Sequence, residues 1–307
     1  MIPVIILQGP TAVGKSSVAL EIARHFQTEI ISADSRQVYK FMAIGTAKPS
    51  QPEQKKIKHH LIDIITPDQV YSAGDFEKDA AKIIKQLHSE NKIPLVVGGT
   101  GFYVKALMEG IFQSPNVPQE IREKLKEQAA EKGSEFLHQK LQQIDPDSAI
   151  RANPNDLNRI IRALEVYEFT GKTITQLWQE NPAEKKNFRF LNLLLTDERE
   201  KIYSRINQRV DEMMAAGLLD EAANLLQKGF AKTSPGLNTV GYKELIPYFE
   251  NGVSLDVCSD AIKQHTRNYA KRQMTWYRKV VFDLTIAASG ISFYAINKVI
   301  DEFLEEE

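Results

Sequence analysis

One stretch near the start of this chain restricts its fold more than any other. Residues 9–16 read G-P-T-A-V-G-K-S, after an apolar run at residues 4–7 and before a helical pattern that begins near Lys15. A strand, a glycine-rich turn and a helix in this order form a phosphate-binding loop, since inward-turned backbone N–H groups and the positive end of the helix attract an anion. We therefore expect an α/β fold with a P-loop NTPase-like parallel sheet flanked by helices.

Individual positions of the loop have separate chemical roles. Gly9 and Gly14 are expected to adopt backbone angles that are closed to other residues, and Lys15 adds a full positive charge. Ser16 offers a hydroxyl to Mg²⁺, which prefers octahedral oxygen ligation shared with phosphate. The loop predicts a phosphate ligand and a magnesium ion, but it does not identify the phosphate compound. The residues predicted to bind the phosphate are Gly9, Thr11, Ala12, Val13, Gly14, Lys15 and Ser16.

The composition of the chain excludes several classes of protein. The formal net charge of −1 gives no overall basic field, so a nucleic-acid surface would have to be a local patch. Cys258 is the single cysteine, so neither a disulfide framework nor a cysteine zinc site is expected. The N-terminal apolar run is too short for a signal peptide or a membrane span. We expect a cytoplasmic protein without membrane attachment, and nothing in the sequence implies an obligate protein partner.

Two regions of different character divide the chain. Residues from about 113 to 189 read as charged, amphipathic helices, whereas strand patterns alternate with helical ones elsewhere. We predict a core formed by residues 1–112 and 190–307 and an all-helical insertion domain at residues 113–189. The predicted strands after the first lie at residues 29–33, 93–97, 188–195 and 280–284.

Two candidates for catalysis stand where strand patterns end. Asp34 follows the strand at 29–33, and in a parallel sheet that end lies beside the phosphate loop. Its carboxylate could act as a general acid or base, or could hold Mg²⁺ through water as in nucleotide hydrolases, and position alone leaves both roles open. Thr100 lies in a second glycine-rich turn at residues 98–101, where a hydroxyl and N–H groups can meet a ligand. An ordinary strand-to-helix turn is the other interpretation of that segment.

Residues 261–280 form a local basic patch. They contain six Lys or Arg and no acidic residue, with Tyr269, Trp276 and Tyr277 interleaved. Four of the charges fall on one helical face at intervals of four, four and seven residues. A solvated helix face and a surface for RNA or DNA both explain the pattern. The four residues are Lys263, Arg267, Lys271 and Arg278.

A histidine pair invites a metal interpretation. His59 and His60 precede Asp63 in a stretch with strand character. Neighbouring residues on a strand point to opposite faces, so the two imidazoles cannot readily share one ion. We therefore expect no metal site at these residues.

The series of motifs along the chain resembles a known family, the tRNA dimethylallyltransferases (isopentenyl-diphosphate:tRNA transferases). The resemblance covers nearly the whole chain, and it is far more specific than a phosphate loop, which many kinases share. It implies transfer of a dimethylallyl group from dimethylallyl diphosphate to N6 of the adenosine just 3′ of the anticodon, with Mg²⁺ as cofactor and the tRNA anticodon stem-loop as partner. The motifs are residues 9–16, 32–39, 45–49, 59–63, 98–103, 159–165 with 170–171, 240–243, and 270–273 with 275–276.

The resemblance also implies roles for individual residues. The phosphate loop would hold the diphosphate of the donor rather than ATP, with Mg²⁺ at Ser16. Asp34 would accept the proton of the adenine amine, with Thr100 beside it. Arg209 would bind the diphosphate, although Arg205 is close enough in sequence to be the alternative. The residues implied to contact tRNA are Asp34, Ser35, Arg36, Gln37, Thr100, Arg122, Asn158, Arg159, Ile160, Ile161 and Arg162, and the basic patch adds Lys271 and Arg278.

Two other functions fit the sequence less completely. A small-molecule P-loop kinase also combines a phosphate loop, a carboxylate and a helical lid. An RNA-binding NTPase without transferase chemistry would combine the loop with the basic patch. Both require a nucleoside triphosphate, whereas prenyl transfer to RNA does not, so this requirement distinguishes the three.

Overall fold

The computed structural model describes residues 1–112, 115–181 and 186–306. The chain divides into two compact units. One is formed by Met1–Met108 with Lys186–Glu307, here called the core unit, and the other by Glu109–Lys185, here called the helical unit. The helical unit thus begins at 109 rather than at the predicted 113. It ends at 185 rather than at 189, because residues 188 and 189 belong to a strand of the core unit.

In the described residues, a six-stranded parallel sheet forms the centre of the core unit. The strand order is β3-β2-β4-β1-β5-β6, so β1, which precedes the phosphate loop, lies between β4 and β5. β1 pairs with β4 from Ile5 opposite Leu95 to Gln8 opposite Gly98. The strands are β1 (Ile2–Gln8), β2 (Ile30–Ser32), β3 (His59–His60), β4 (Leu95–Gly98), β5 (Phe188–Thr196) and β6 (Leu284–Ala287).

Capping residues mark the ends of several helices. Ser72 and Asp75 form a reciprocal capping box at one N-terminus. Asp156 caps another helix, which ends at left-handed Gly171. The helices are α1 (Lys15–His25), α2 (Gln51–Lys56), α3 (Ala73–Ser89), α4 (Gly101–Glu109), α5 (Gln119–Lys132), α6 (Ser134–Ile144), α7 (Pro146–Arg151), α8 (Leu157–Thr170), α9 (Ile174–Glu180), α10 (Arg199–Ala215), α11 (Leu218–Gln227), α12 (Ile246–Asn251), α13 (Leu255–Tyr277) and α14 (Phe293–Glu305).

Apolar clusters hold each unit together. In the core unit, residues 4–7 of β1 are fully buried, and Ile22 of α1 and Ile300 of α14 belong to the same cluster as this strand. A second cluster joins α10, α11 and α13 around buried Tyr242. The helical unit has its own cluster, which includes Leu125, Leu164 and other apolar residues of α5 to α9. Burial of these apolar surfaces is the main favourable contribution to the stability of both units.

The last strand differs from its predicted position. It was expected at residues 280–284 but spans Leu284–Ala287. Val281 is 88% exposed and cannot belong to a buried strand. Asp283 bonds to Asn192 of β5 through both its backbone N–H and its carboxylate, and the paired register begins one residue later, with Leu284 opposite Leu193. The apolar run from Val280 to Phe282 lies in the irregular connection between α13 and β6 and not in the strand.

Three neighbouring strands bring the predicted catalytic segments together. The phosphate loop follows β1, Asp34 follows β2, and the turn that holds Thr100 follows β4. Because β2, β4 and β1 are adjacent and parallel, their carboxyl ends share one edge, here called the catalytic edge. Gly98 lets β2 and β4 approach closely, since a Cβ added there would lie 2.0 Å from the Ala33 carbonyl oxygen.

Within the described ranges, no helix is both long enough and apolar enough to cross a membrane.

Replacement of Gly98 tests how closely the two strands approach. Gly98→Ala forces a Cβ against the Ala33 carbonyl, so we expect the free energy of unfolding to fall by about 1–3 kcal/mol. Urea denaturation measures this change. Gly290→Ala is the matched control, because a Cβ there meets no atom within 4 Å. An unfolding midpoint for Gly98→Ala equal to that of the control would contradict the packing described.

Candidate active site

The phosphate loop turns tightly between β1 and α1. Gly14 has a φ of 102°, which confirms the predicted need for glycine, and Ala12 is also left-handed with a φ of 62°. Gly9 does not have a left-handed backbone, so the reason predicted for this glycine is wrong. A Cβ on Gly9 would lie 2.4 Å from the Leu195 carbonyl oxygen of β5, and glycine is required by that close approach.

Lys15 occupies the centre of the loop. Its ammonium donates hydrogen bonds to the carbonyl oxygens of Gly9 and Pro10, both at 2.8 Å. Burial lowers the pKa of Lys15 to about 8, an effect that the nearby Asp34 carboxylate opposes and the Arg209 guanidinium reinforces. The charge is therefore held in a site that weakly solvates it, where an anionic ligand would be bound strongly.

Asp34 has one oxygen fixed and one oxygen available. Oδ1 accepts hydrogen bonds from the backbone N–H groups of Arg36 at 2.8 Å and Gln37 at 3.4 Å. Among the described residues, no group donates a hydrogen bond to Oδ2. Thr100 lies beside this carboxylate, because its Oγ1 accepts from the Ser35 N–H at 3.0 Å. The structure thus brings Asp34 and Thr100 together, as the strand positions predict.

Two cavities meet at Asp34. The smaller, of about 60 Å³, is lined by Lys15, Ser16 and Asp34, among others. The larger, here called the central cavity, has a volume of about 290 Å³ and is lined by Asp34, Arg209 and apolar residues of α10 and α13. Asp34 therefore faces both the phosphate loop and a partly apolar space.

The smaller cavity has the donor chemistry that Mg²⁺ requires. The Ser16 hydroxyl and the Asp34 carboxylate line one cavity with Lys15, and a bound phosphate would supply further oxygens. In the described chain, no group of three or more His, Cys, Asp or Glu residues could hold a metal without such a ligand. These residues fit a magnesium ion shared with a phosphate compound, not one held by protein alone.

The histidine pair is engaged in local structure. His59 Nδ1 lies 2.8 Å from the Ile57 carbonyl oxygen, and His60 Nε2 lies 2.6 Å from Glu29. Asp63 pairs with Lys48 at 2.6 Å. The three side chains therefore have separate partners.

The two candidate arginines of α10 have different surroundings. Arg205 pairs at 2.6 Å with Asp197, whose side chain is only 1% exposed, so this guanidinium is already neutralised. Arg209 lines the central cavity, and burial lowers its pKa. Within the described residues, Arg209 forms no hydrogen bond or ion pair. The geometry favours Arg209 over Arg205 as the arginine that binds an anion.

Helix α13 fixes both glycine turns at the catalytic edge. Gln273 is buried; its Oε1 accepts from the Thr11 N–H at 2.9 Å, and its Nε2 donates to the Gly99 carbonyl oxygen at 2.8 Å. The Tyr277 hydroxyl donates to the Gly9 carbonyl oxygen at 3.0 Å. Sequence reasoning missed these roles. The signal was the spacing of four residues between Tyr269, Gln273 and Tyr277, which places them on one helix face.

Tyr269 is a further residue of the site that the sequence did not identify as such. It lines the central cavity with Asp34 and Arg272. Burial raises the pKa of Tyr269 to about 12, so its hydroxyl remains a hydrogen-bond donor at neutral pH.

The basic face predicted on α13 is divided in the structure. Lys263 pairs with Asp211 at 2.6 Å, and Arg267 donates to the side chain of Asn207, so both contribute to packing against α10. Lys271 and Arg278 are exposed. In the described chain their side chains form no hydrogen bond or ion pair, which leaves both charges available to an anionic partner.

The segment from Ser35 to Gln37 continues along the catalytic edge. Arg36 lines the central cavity and donates to the Pro235 carbonyl oxygen at 3.4 Å. The Gln37 amide accepts from the Ser32 hydroxyl at 3.0 Å and donates to the Ala47 carbonyl oxygen at 3.2 Å. Gln37 thus supports the loop around residue 47, whereas Arg36 reaches the cavity.

The predicted tRNA-contacting residues of the helical unit have three kinds of environment. Arg122 and Arg162 both bind the carboxylate of Glu165, which is 1% exposed. Asn158 and Arg159 are exposed at the start of α8, and the side chain of Arg159 is 70% exposed while it contacts Asp156 at 3.2 Å. The last two, Ile160 and Ile161, are 0% and 3% exposed and belong to the core of this unit, so their side chains are not available to a partner.

The Glu165 cluster stabilises the helical unit. Burial alone would raise the pKa of Glu165, but hydrogen bonds from Arg122 and Arg162 outweigh it and hold this pKa below its usual value. The carboxylate therefore contributes stability above its ordinary pKa, and this contribution is lost as the pH falls through the lowered value.

Comparison with known proteins identifies the family. Residues 37–280 match the family described as IPP transferase. The chain belongs to the IPP transferase family. A family relative from Carboxydothermus hydrogenoformans, described as a tRNA dimethylallyltransferase, is 47% identical over 90% of this chain and 88% of its own length.

Solved structures of IPP transferases have the same fold. A tRNA isopentenylpyrophosphate transferase from Bacillus halodurans is 35% identical, covers 100% of this chain and 98% of its own, and superposes with a TM-score of 0.73. A eukaryotic dimethylallyltransferase acting on tRNA is 29% identical, with a TM-score of 0.83 over 100% of this chain and 80% of its own. The family and the parallel α/β fold predicted from the sequence are confirmed.

The lowered pKa of Lys15 makes anion binding dependent on pH. Protonated Lys15 attracts a phosphate and neutral Lys15 does not, so the affinity for an alkyl diphosphate falls by up to about tenfold per unit as the pH rises above about 8. Isothermal titration calorimetry with a non-reactive alkyl diphosphate measures this dependence. Lys15→Arg is the matched control, because its charge persists at these pH values. Equal pH profiles for the two proteins would contradict the proton assignment.

The two arginines of α8 are expected to separate stability from binding. Arg162→Ala removes a partner of buried Glu165, so the free energy of unfolding should fall by about 1–3 kcal/mol. Arg159→Ala should leave it within about 0.5 kcal/mol, since its side chain is 70% exposed. Urea denaturation of the two variants makes the comparison. Any loss of RNA affinity in Arg159→Ala then reports a direct contact with RNA. If both variants lowered the free energy of unfolding by the same amount, the environments assigned to the two arginines would be contradicted.

Proposed function

We propose that this protein transfers the dimethylallyl group of dimethylallyl diphosphate to N6 of the adenosine 3′-adjacent to the anticodon of a tRNA, giving N6-isopentenyladenosine. The observation that carries the proposal is the position of Asp34 between the phosphate loop and the central cavity, with Oδ2 available. The names of the relatives, tRNA dimethylallyltransferase and tRNA isopentenylpyrophosphate transferase, support the same activity. Such a substrate agrees with the cytoplasmic location expected from the sequence.

The diphosphate of the donor binds at the phosphate loop. In this assignment the N–H groups of residues 12–16 and the Lys15 ammonium bind the diphosphate, together with Arg209, which lines the central cavity. The Thr11 N–H already donates a hydrogen bond to the side chain of Gln273, and this bond supports the loop. Lys15 leaves the carbonyl oxygens of Gly9 and Pro10 and binds phosphate oxygens instead.

The dimethylallyl group lies in the central cavity. Ile206 and Val210 of α10, Ile262 of α13 and Val240 before α12 supply apolar walls beside Arg209. A short branched hydrocarbon gains about 25 cal/mol for each Å² of surface that such walls remove from water. This arrangement holds the allylic carbon between the phosphate loop and Asp34.

Transfer replaces a carbon–oxygen bond by a carbon–nitrogen bond. The C1–O bond of the donor breaks with both electrons leaving on diphosphate, whose growing charge is stabilised by Lys15, Arg209 and the loop N–H groups. The adenine N6 lone pair forms the new bond to C1, and Asp34 Oδ2 accepts the N6 proton. Mg²⁺ held by Ser16, with Asp34 nearby, would supply additional positive charge to the leaving diphosphate. Tyr269 borders the same space and orients the base by hydrogen bonding, and Thr100 holds the segment after Asp34 through its bond to the Ser35 N–H.

The adenine must leave its stacked position to reach Asp34. Bases of single-stranded RNA loops are read in this way, splayed out and held by stacking and edge contacts. The exposed charges of Lys271 and Arg278 in the core unit, and of Arg159 in the helical unit, would bind the flanking phosphates.

The requirement for a nucleoside triphosphate tests the proposed function. Dimethylallyl diphosphate labelled in the dimethylallyl group is incubated with purified protein, bulk tRNA and Mg²⁺, with and without ATP. We expect acid-stable label in RNA without ATP, and N6-isopentenyladenosine as the labelled nucleoside after digestion. A kinase or an NTPase would instead require the triphosphate, and absence of label from RNA under both conditions would reject the proposal.

Asp34→Asn tests the general base. The amide oxygen can still accept from the N–H groups of Arg36 and Gln37, so the local turn is retained while the proton acceptor is lost. We expect kcat to fall at least about a hundredfold, with tRNA affinity unchanged within a few-fold. Single-turnover kinetics and filter binding measure the two quantities. Near-normal turnover would remove Asp34 from the proton transfer.

A further inference from the structure

A second cavity of the core unit adjoins the central cavity. It has a volume of about 460 Å³ and is lined both by apolar residues, such as Ile44, Pro49 and Ala216, and by polar ones, such as Lys48 and Asp63; it is here called the side cavity. Three residues line both the central and the side cavity: Ala47, Arg209 and Met213. A residue that borders two cavities lies between them, so these three form the wall that separates the spaces.

Of these three wall residues, Met213 is the one whose side chain a substitution can shorten without removing the Arg209 charge. Ala47 carries only a methyl group and has a left-handed backbone with a φ of 48°, and Arg209 bears the charge that faces the diphosphate. Met213 lies one helical turn after Arg209 on α10, and its side chain is partly buried against the apolar cluster around Tyr242. An unbranched thioether fills such an irregular gap and closes it without a rigid packing requirement.

We infer that Met213 limits the length of the alkyl group that the donor site accepts. The inference rests on the proposed function, because it assigns the diphosphate to the loop and Arg209 and the hydrocarbon to the central cavity. From Arg209 the hydrocarbon runs along α10 past Val210 towards Met213. A dimethylallyl group ends before this side chain, whereas a second isoprene unit would have to occupy the space of the Met213 thioether. Beyond that side chain lies the side cavity, which is the larger of the two.

Donor competition tests this assignment. Initial rates of transfer to an anticodon stem-loop RNA are measured with dimethylallyl diphosphate and with geranyl diphosphate, for the unaltered protein, Met213→Ala and Met213→Val. The matched control is Met214→Ala, because Met214 packs against the same apolar cluster but lines neither cavity. Urea denaturation establishes that each variant is folded.

We expect the ratio of kcat/KM for geranyl over dimethylallyl diphosphate to rise at least about tenfold in Met213→Ala, less in Met213→Val, and not at all in Met214→Ala. A misfit of one methylene in an apolar pocket already changes kcat/KM by about 10- to 200-fold. A ratio unchanged in folded Met213→Ala, or raised equally in Met214→Ala, would overturn the inference. So would efficient use of geranyl diphosphate by the unaltered protein. The dimethylallyl rates are a separate result: if the unaltered protein transfers no dimethylallyl group, it is the proposed function that fails.

Discussion

The catalytic edge depends on the hydrogen bonds that one helix makes to two glycine turns. The Gln273 side chain joins the Thr11 N–H of the phosphate loop to the Gly99 carbonyl oxygen of the turn after β4, and Tyr277 adds a bond to Gly9. Such buried amide bonds are costly to break, because an unpaired polar group would remain in the interior. The same helix carries Tyr269 at the central cavity, so the position of α13 sets the geometry of the whole site.

The cationic side chains near this edge differ in whether a carboxylate already neutralises them. Arg205 is neutralised by buried Asp197, whereas Arg209 lines the central cavity and its pKa is lowered by burial. Burial also lowers the pKa of Lys15 to about 8. Two poorly solvated cations beside a carboxylate with an available oxygen form a site that gains most when an anion arrives, which is the electrostatic requirement for a diphosphate leaving group.

The sequence could predict those features that local chemistry determines. The turn at Gly14 and the position of Asp34 at a strand end follow from backbone geometry and strand order. Features set by long-range packing could not be predicted. Gly9 is required by the carbonyl of a strand nearly two hundred residues later, and the bonds of Gln273 join segments 262 and 174 residues apart. Likewise, Ile160 and Ile161 match a family motif, but only the fold shows that the motif's apolar positions form the core.

A structure of the protein with both substrates tests the central claim most directly. Dimethylallyl thiolodiphosphate, which resists ionisation, and an anticodon stem-loop would be crystallised with the protein and Mg²⁺. The account predicts the diphosphate at residues 9–16 in contact with Lys15, and the adenine N6 within about 2.6–3.2 Å of Asp34 Oδ2. A diphosphate bound away from this loop, or an adenine whose N6 points away from Asp34, would contradict it.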